Sequence, residues 1–420
     1  MSSAVPEGPA PEPLDETEIA RVRRRSRAAI IAGQVLAGIG MGSTLSAGAL
    51  LITQVSGSET LSGMAATMST IGAAVAAVPL AALATRRGRA PALATGAVLA
   101  AVGAVVGLVA AVLGWTLLLL AGIIMLGVGT AVNLQARFAA TDLSEPGRRG
   151  RDLSVVVWST TVGAVLGPNL IGPGDAVGQA IGLPPLAGAY LFTITAQLVA
   201  AVVYVVGLRP DPLRLATRIG LERPASPEAA SRTADAGGIA TGMIATSLSH
   251  ATMVSVMAMT PVHLVNHGAS LELVGITISL HVLGMYALSP LWGVLADRVG
   301  REATIAIGQV LLLAALLLLA AGSESELWVA IGLFTIGVGW SAASVAGSTL
   351  ISESVDVLGR ARIQGRADLL MSSAGALGGA AAGLVLAQLG YGGLALTATG
   401  LVAVVLVTLV ARAVRKRAVA

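Results

Sequence analysis

The chain carries four histidines and no cysteine, and its long apolar stretches hold few other groups able to move a proton. His250 and His281 fall inside two such stretches, 236–271 and 273–296, and imidazole is the side chain that titrates near neutrality. On helices running in opposite directions over about 238–264 and 272–296, they lie roughly 18 Å and roughly 22 Å from the same end, at about 1.5 Å per residue. Either could take up and release a proton; equally, a neutral histidine could donate a hydrogen bond that ties helices together. His263 and His267, near Asn266, read as surface residues. No spacing of His, Asp and Glu suggests a metal site, and the missing cysteines remove disulfides, thiolate ligands and thiol nucleophiles, so neither metal nor cofactor is expected.

Side chains able to orient a ligand are sparse. Met243, Met253, Met257 and Met259, with Met285 and Tyr286, offer the adaptable apolar surface that suits varied ligands, although methionine is as much at home against lipid or a neighbouring helix. Gln34, Asn133, Gln135, Trp158, Asn169 and Trp340 are polar or aromatic groups inside apolar stretches, whereas Trp115 and Trp328 fall at stretch ends and read as interfacial anchors.

Positioning these groups is the task of membrane-spanning helices. Of 420 residues, 55% are hydrophobic and 11% charged, with mean hydropathy +0.84, against about 25% charged in soluble domains. At roughly 20 residues per crossing, the chain holds about a dozen helices and no separate soluble domain. Ten charge-free windows run from 28 to 411, and two of them, 90–136 and 369–411, have room for two helices around the turn signals Leu113-Gly114-Trp115 and Gly390-Tyr391-Gly392-Gly393. The prediction is an all-α integral membrane protein of twelve transmembrane helices.

All 26 basic residues, arginine in every case but Lys416, fall in the tails and on one set of loops, while the other set holds Glu59, Asp175, Glu272, Glu324 and Glu326. The positive-inside rule then puts both termini in the cytoplasm. It also explains a pI near 10.1 without a nucleic-acid partner. The expected organisation is a disordered cytoplasmic tail (1–27), a six-helix bundle (28–208), a cytoplasmic linker (209–237), a second bundle (238–412) and a basic tail (413–420). The arginine bias suggests a GC-rich bacterial genome, hence a cell membrane.

The two bundles are copies. An offset of 212 carries Leu83, Ala84, Arg86, Gly88 and Arg89 onto Leu295, Ala296, Arg298, Gly300 and Arg301, and Gly163 and Gly167 onto Gly375 and Gly379; an offset of 210 carries Gly127-Val128-Gly129 onto Gly337-Val338-Gly339. Such six-helix repeats are a transporter architecture, with substrate bound at the repeat interface.

These residues resemble the major facilitator superfamily over about 27–412. Gly293-Val294-Leu295-Ala296-Asp297-Arg298-Val299-Gly300-Arg301 matches the family's loop signature, and Ala81 to Arg89 is a degenerate copy with Thr85 in place of the acid. The resemblance implies a pseudo-symmetric two-bundle fold in which Asp297 latches against the start of helix 5. The first-half partner would face the start of helix 11, and Thr85 cannot supply its charge, so the latch should be asymmetric. Gly163-x-x-x-Gly167-Pro168 is similar to a signature of the drug:proton antiporter branch, although small residues at this spacing also serve helix packing. That branch usually places an arginine well inside helix 4; the candidate here, Arg137, sits within about one turn of the helix end and could snorkel to the interface. The charges from Asp142 to Asp152 and from Glu353 to Asp368 read as solvated loop charges or gate pairs, leaving the helix centres without Asp, Glu, Lys or Arg.

The expected function is secondary active transport of small molecules by alternating access, coupled to protons and exporting amphipathic compounds. A transporter of a polar metabolite such as a sugar is the alternative, and a non-transporting membrane sensor or partner the reading from another class. No Gly-x4-Gly-Lys-Ser/Thr sequence supports ATP hydrolysis, and no nucleophile, base and metal constellation suggests an enzyme. A monomer in the lipid bilayer is expected.

Overall fold

Inside a bilayer each backbone N–H and C=O must find its partner within the segment, so apolar stretches of this length fold as helices. The computed structural model describes residues 16–57, 64–145, 147–222 and 235–419, and helices account for nearly all of them. The first half contains α1 (Glu16–Ser56), α2 (Met64–Arg87), α3 (Arg89–Leu113), α4 (Thr116–Ala139), α5 (Arg149–Asn169), α6 (Ile171–Ala180) and α7 (Ala189–Gly207). After a short α8 (Pro212–Glu222), the second half contains α9 (Ala236–Asn266), α10 (Leu271–Tyr286), α11 (Ser289–Val299), α12 (Arg301–Ala321), α13 (Glu326–Glu353) and α14 (Val357–Val419).

These helices make twelve membrane crossings. The fifth is α5 plus α6, interrupted at Leu170 just before Pro173, and the eighth is α10 plus α11, interrupted at Ala287 and Leu288 just before Pro290; proline cannot donate the hydrogen bond that would continue a helix. The eleventh and twelfth crossings are the two arms of α14, parted at Gly390, whose φ of 69° is the left-handed conformation glycine tolerates. Exposed apolar residues such as Val75, Leu117, Val202, Leu377 and Val407 face outward along the crossings, where lipid takes the place of water.

The duplication is visible in the backbone. Gly88 (φ 96°, ψ 176°) and Gly300 (φ 108°, ψ 152°) turn the chain identically in the two halves, in a region open essentially to glycine alone. Gly72 packs on Gly127 between α2 and α4, and their repeat partners, Gly284 and Gly337, bring α10 against α13. A Cβ on Gly127 would overlap the Ser69 carbonyl, and one on Gly337 would lie 2.5 Å from the His281 carbonyl. Gly127→Val is therefore expected to cost about 1–3 kcal/mol by overpacking, read as a lower unfolding temperature in detergent.

Three segments differ from their sequence expectation. The first helix begins at Glu16 rather than near residue 28, because Val22 is buried with Leu143, Leu215 and Ala216, and Arg27 pairs with Asp152 at 2.8 Å. The rest of the expected tail, 1–15, lies outside the described residues. The linker is not all loop: α8 buries Leu213 among Ala84 and Ala92 of the first half and Ala361 of the second, and Asp211 accepts the Ala90 N–H (2.8 Å) at the start of α3. The last residues continue α14, with Arg412 and Lys416 on Glu302 at 2.6 Å and 2.5 Å. Asp175, expected in an outer loop, lies in α6 and accepts the Leu186 N–H at 2.6 Å.

Arg412 also pairs with Asp235 and holds its carboxyl well below the usual carboxylate range, at about 2. A depressed acid contributes its stabilisation above its unfolded pKa and loses it as pH falls through the folded value. This tie therefore stays intact from pH 5 to 8, and Asp235→Asn is expected to leave the pH profile of transport unchanged over that range.

Candidate functional site

Polar contacts join the halves in three places toward the arginine-rich end. In the first, the Asp297 carboxylate at the end of α11 accepts the backbone N–H groups of Gly150 (3.0 Å) and Arg151 (2.9 Å) at the start of α5, where unpaired amides and the helix dipole favour an anion. Arg301 holds that carboxylate at 3.1 Å and reaches Glu353 at 2.6 Å, linking α11, α12 and α13 to the same point. Backbones meet alongside: a Cβ on Gly150 would lie 2.7 Å from the Gly293 carbonyl, and the Ser289 hydroxyl donates to the Ser154 carbonyl at 3.1 Å.

The degenerate copy is built differently. Thr85 turns its hydroxyl back to Ala81 of its own helix (2.9 Å). Arg89 crosses instead. Only 1% exposed, it is held by Asp142 at 2.7 Å and 3.1 Å, and its second terminal nitrogen donates to the Gln364 amide oxygen of α14 at 2.6 Å. Gln364 in turn donates to Ser352 at 3.2 Å. A neutral amide, reached by a neutralised arginine, thus makes the contact on this side. Arg86 and Arg298 are exposed.

The third contact is, among the described residues, the one ion pair shown between the halves. Arg137 of α4 is 4% exposed and enters the second half, donating to Asp368 of α14 at 2.8 Å and to Ser344 of α13 at 3.0 Å. Asp368 is fully buried, and its other oxygen, Oδ2, has no hydrogen-bond partner among the described residues. The guanidinium lies 5.0 Å from the Phe138 ring and 3.7 Å from the Met371 sulfur, and an aromatic group packs in the second half, made of His250 of α9, Tyr286 of α10 and Trp340. Trp340 of α13 stands between the other two, 5.9 Å from the His250 ring and edge-on to Tyr286 at 6.0 Å. Three crossings, α4 from one half and α13 and α14 from the other, therefore meet at one guanidinium.

This cluster corrects the sequence reading. Arg137 does not snorkel, and of the charges expected to be solvated or gate pairs, Asp142, Asp152, Arg360 and Asp368 are buried, with Asp368 in a pair across the halves. Windows chosen to be free of charge end at the first charge by construction, which cut α14 at 369 although the helix begins at Val357. A buried charge is tolerated when an opposite charge neutralises it; the available signal was one arginine and one aspartate next to otherwise apolar windows.

The two mid-helix histidines, His281 buried and His250 half-buried, occupy different settings. His281 Nδ1 donates to the Leu333 carbonyl at 2.7 Å, tying α10 to α13 beside the Gly284–Gly337 contact. His281→Ala is expected to cost about 1–3 kcal/mol, measurable as thermal destabilisation. His250 instead packs its ring against Gly375 and Trp340. His263 is buried rather than on the surface, stacked on Tyr391 at 4.2 Å and bonded to the Ser323 carbonyl at 2.7 Å, while His267 is exposed.

The remaining predicted groups divide between the halves. Gln34 lies 3.5 Å from Thr160 and Asn133 3.4 Å from it, a polar trio from α1, α4 and α5. Gln135 instead donates to the Ala77 carbonyl of α2 at 3.1 Å, and Trp158 is exposed. Met253 is buried in the core of the second half with Met257 packed against it. Gly163 meets the Gly38 backbone between α5 and α1, and Gly379 lies beside Val254. Gly167 is buried in α5; the side chains of Pro168 and Asn169 lie outside those described. Among the described residues no cluster of His, Asp and Glu could hold a metal ion.

Two six-helix halves of like topology, joined by one set of helix ends, define a membrane-transporter fold. The family model described as Major Facilitator Superfamily matches residues 30–244 and 242–419, and the chain belongs to that family. It is 35% identical to the uncharacterized MFS-type transporter YddS of Bacillus subtilis (strain 168), over 86% of this chain and 85% of the relative. It is 26% identical to the riboflavin transporter RfnT of Brucella anthropi, over 96% and 99%. Among solved structures, the human organic anion transporter MFSD10 superposes with a TM-score of 0.73 at 16% identity, covering 92% of this chain and 99% of that one.

Proposed function

We propose that this major facilitator protein is a proton-coupled exporter of amphipathic small molecules, working by alternating access with its arginine-rich end and both termini in the cytoplasm. The observation that carries this reading is the asymmetry of the junction: Asp297 on the α5 amides, Arg89 on Gln364 and Arg137 on Asp368 all join the halves toward one end. Contacts of that kind close one side of the membrane while leaving the halves free to part there. In this reading Asp297, Arg301 and Arg89 form the cytoplasmic latch, with Arg86, Arg298, Gly88 and Gly300 shaping its loops.

Sparse polar groups favour an amphipathic substrate. Gln34 and Asn133 on one side and Tyr286, Trp340 and His250 on the other offer aromatic faces and a few hydrogen bonds, a balance that suits planar heteroaromatic compounds better than sugars. Similarity to a riboflavin transporter supports trying flavins among them.

The test loads proteoliposomes with acid buffer and a pH dye, then adds lipophilic cations, neutral drugs, riboflavin and sugars outside. Proton release driven by the amphipathic compounds supports antiport. A response to sugars alone moves the assignment to a polar metabolite, and silence with every compound overturns proton-coupled antiport. Thr85→Ala is expected to leave the rate within about twofold of wild type, since its hydroxyl bonds only its own helix and such a bond contributes little.

A further inference from the structure

We infer that Asp368 is the group that carries the coupling proton, and that its ion pair with Arg137 converts protonation into opening of the arginine-rich end. The inference rests on the transporter reading above and names the residue through which it works.

The pair is placed for this role. Arg137 comes from α4 and Asp368 from α14, so the bond exists only while the halves are together at this end. Both side chains are withdrawn from solvent, and each is the other's only charge-neutralising bond shown. Asp368 Oδ2 accepts no hydrogen bond from the described residues and can receive a proton without first giving one up.

The elements packed around the carboxylate bring few charges; α2, which meets α14 at Gly365, does so through Ala77 and Ala81 and brings none there. Arg137 on α4 is in contact, and Arg89 on α3 acts from farther away while itself neutralised by Asp142. His250 on α9 and Tyr286 on α10 pack on Trp340 of α13, with ring centroids 5.9 Å and 6.0 Å away, and α13 also contributes the neutral Ser344. Among the described residues the carboxylate is the one acid bonded to Arg137, and its proton acts directly on that pair.

That consequence is mechanical. A proton on Oδ2 turns the carboxylate into a neutral acid and leaves Arg137 as a buried cation without a counterion. A buried charge stripped of its partner is strongly unfavourable, and the halves relieve it by parting, which lets water reach the guanidinium. Loss of the proton to the cytoplasm restores the pair and draws the halves together. His250 packs against Trp340 and Gly375 and has no part in the proton step.

The cysteine-free chain permits a direct test. Spin labels on Thr85→Cys and Arg366→Cys, two exposed positions at the arginine-rich ends of opposite halves, report the separation in lipid nanodiscs by pulsed dipolar spectroscopy without any substrate. In the otherwise wild-type protein the open-to-closed ratio should rise as pH falls, by up to about tenfold per pH unit for a single coupled proton. Asp368→Asn should be open at every pH. Arg137→Gln combined with Asp368→Asn, which removes both charges, should return toward the closed distance and show no pH response. Asp368→Glu should keep the response with a moved midpoint, which separates a coupling role from misfolding.

A distance that does not respond to pH in the wild-type background overturns the inference. So does an Asp368→Asn protein that keeps the wild-type titration, or one whose titration disappears on His250→Gln instead. A pH-dependent opening that depends on Asp368, in a protein that moves none of the compounds tried, sustains the inference and counts against the exporter reading alone.

Discussion

Arg137→Ala is expected to be the most damaging single substitution in the chain, lowering stability by about 3–5 kcal/mol, as for other buried pairs that lose one partner, and transport by more than about a hundredfold. The loss has two parts. Asp368 is left fully buried with neither oxygen on a cation, and Ser344 loses the donor that reaches it from the other half. Arg137→Lys is expected to recover most of the stability but little of the transport, because an ammonium is a single point of charge and the guanidinium spans Asp368 and Ser344 with separate nitrogens. Thermal unfolding in detergent and initial rates in proteoliposomes at equal protein content check the two parts separately. Wild-type rates in Arg137→Lys would show that charge alone suffices there.

Asp297→Asn is expected to have the second largest effect, through conformation more than stability. The carboxylate accepts two amides of α5 and the Arg301 guanidinium. An asparagine amide offers one oxygen for the same donors and turns an N–H toward a helix start already rich in donors. Charge-assisted bonds of this kind contribute about 1.5–3 kcal/mol each; losing half of that preference would shift the balance of the two end states by about tenfold, since about 1.4 kcal/mol is one decade. The expected result is a protein that folds normally, spends more time open at its arginine-rich end and transports about tenfold more slowly. The same label pair read at high pH reports the opening directly. Equal slowing in Thr85→Ala would argue against an asymmetric latch.

Much of the architecture was legible in the chain. Twelve crossings, their grouping into two copies and the turns at Gly88, Gly114, Gly300 and Gly390 follow from hydropathy and from glycines that recur at one offset, because a bilayer allows few other ways to satisfy a backbone. The candidate site was legible only in parts. Asp297, Arg301 and Arg89 stood out by motif, and His250, Tyr286 and Trp340 as scarce groups in apolar windows. Arg137 and Asp368 did not, because a charge near a window edge reads as a loop residue until its partner is known.

The sequence by itself determined which segments cross and that the second half repeats the first, since both depend on local composition and on the backbone freedom of particular glycines. Tertiary structure decided what the charges do. Only the docking of α4 against α13 and α14 brings Arg137 to Asp368. Only the approach of α3 to α14 shows that Gln364 takes the place opposite the missing acid at Thr85, and only packing makes His281 a strut between α10 and α13 while leaving His250 against Trp340. The physical reason is common to all three. Burial of a charge or a polar ring depends on a partner contributed by another helix, from a fraction of the chain to more than half of it away, and no local pattern records that pairing.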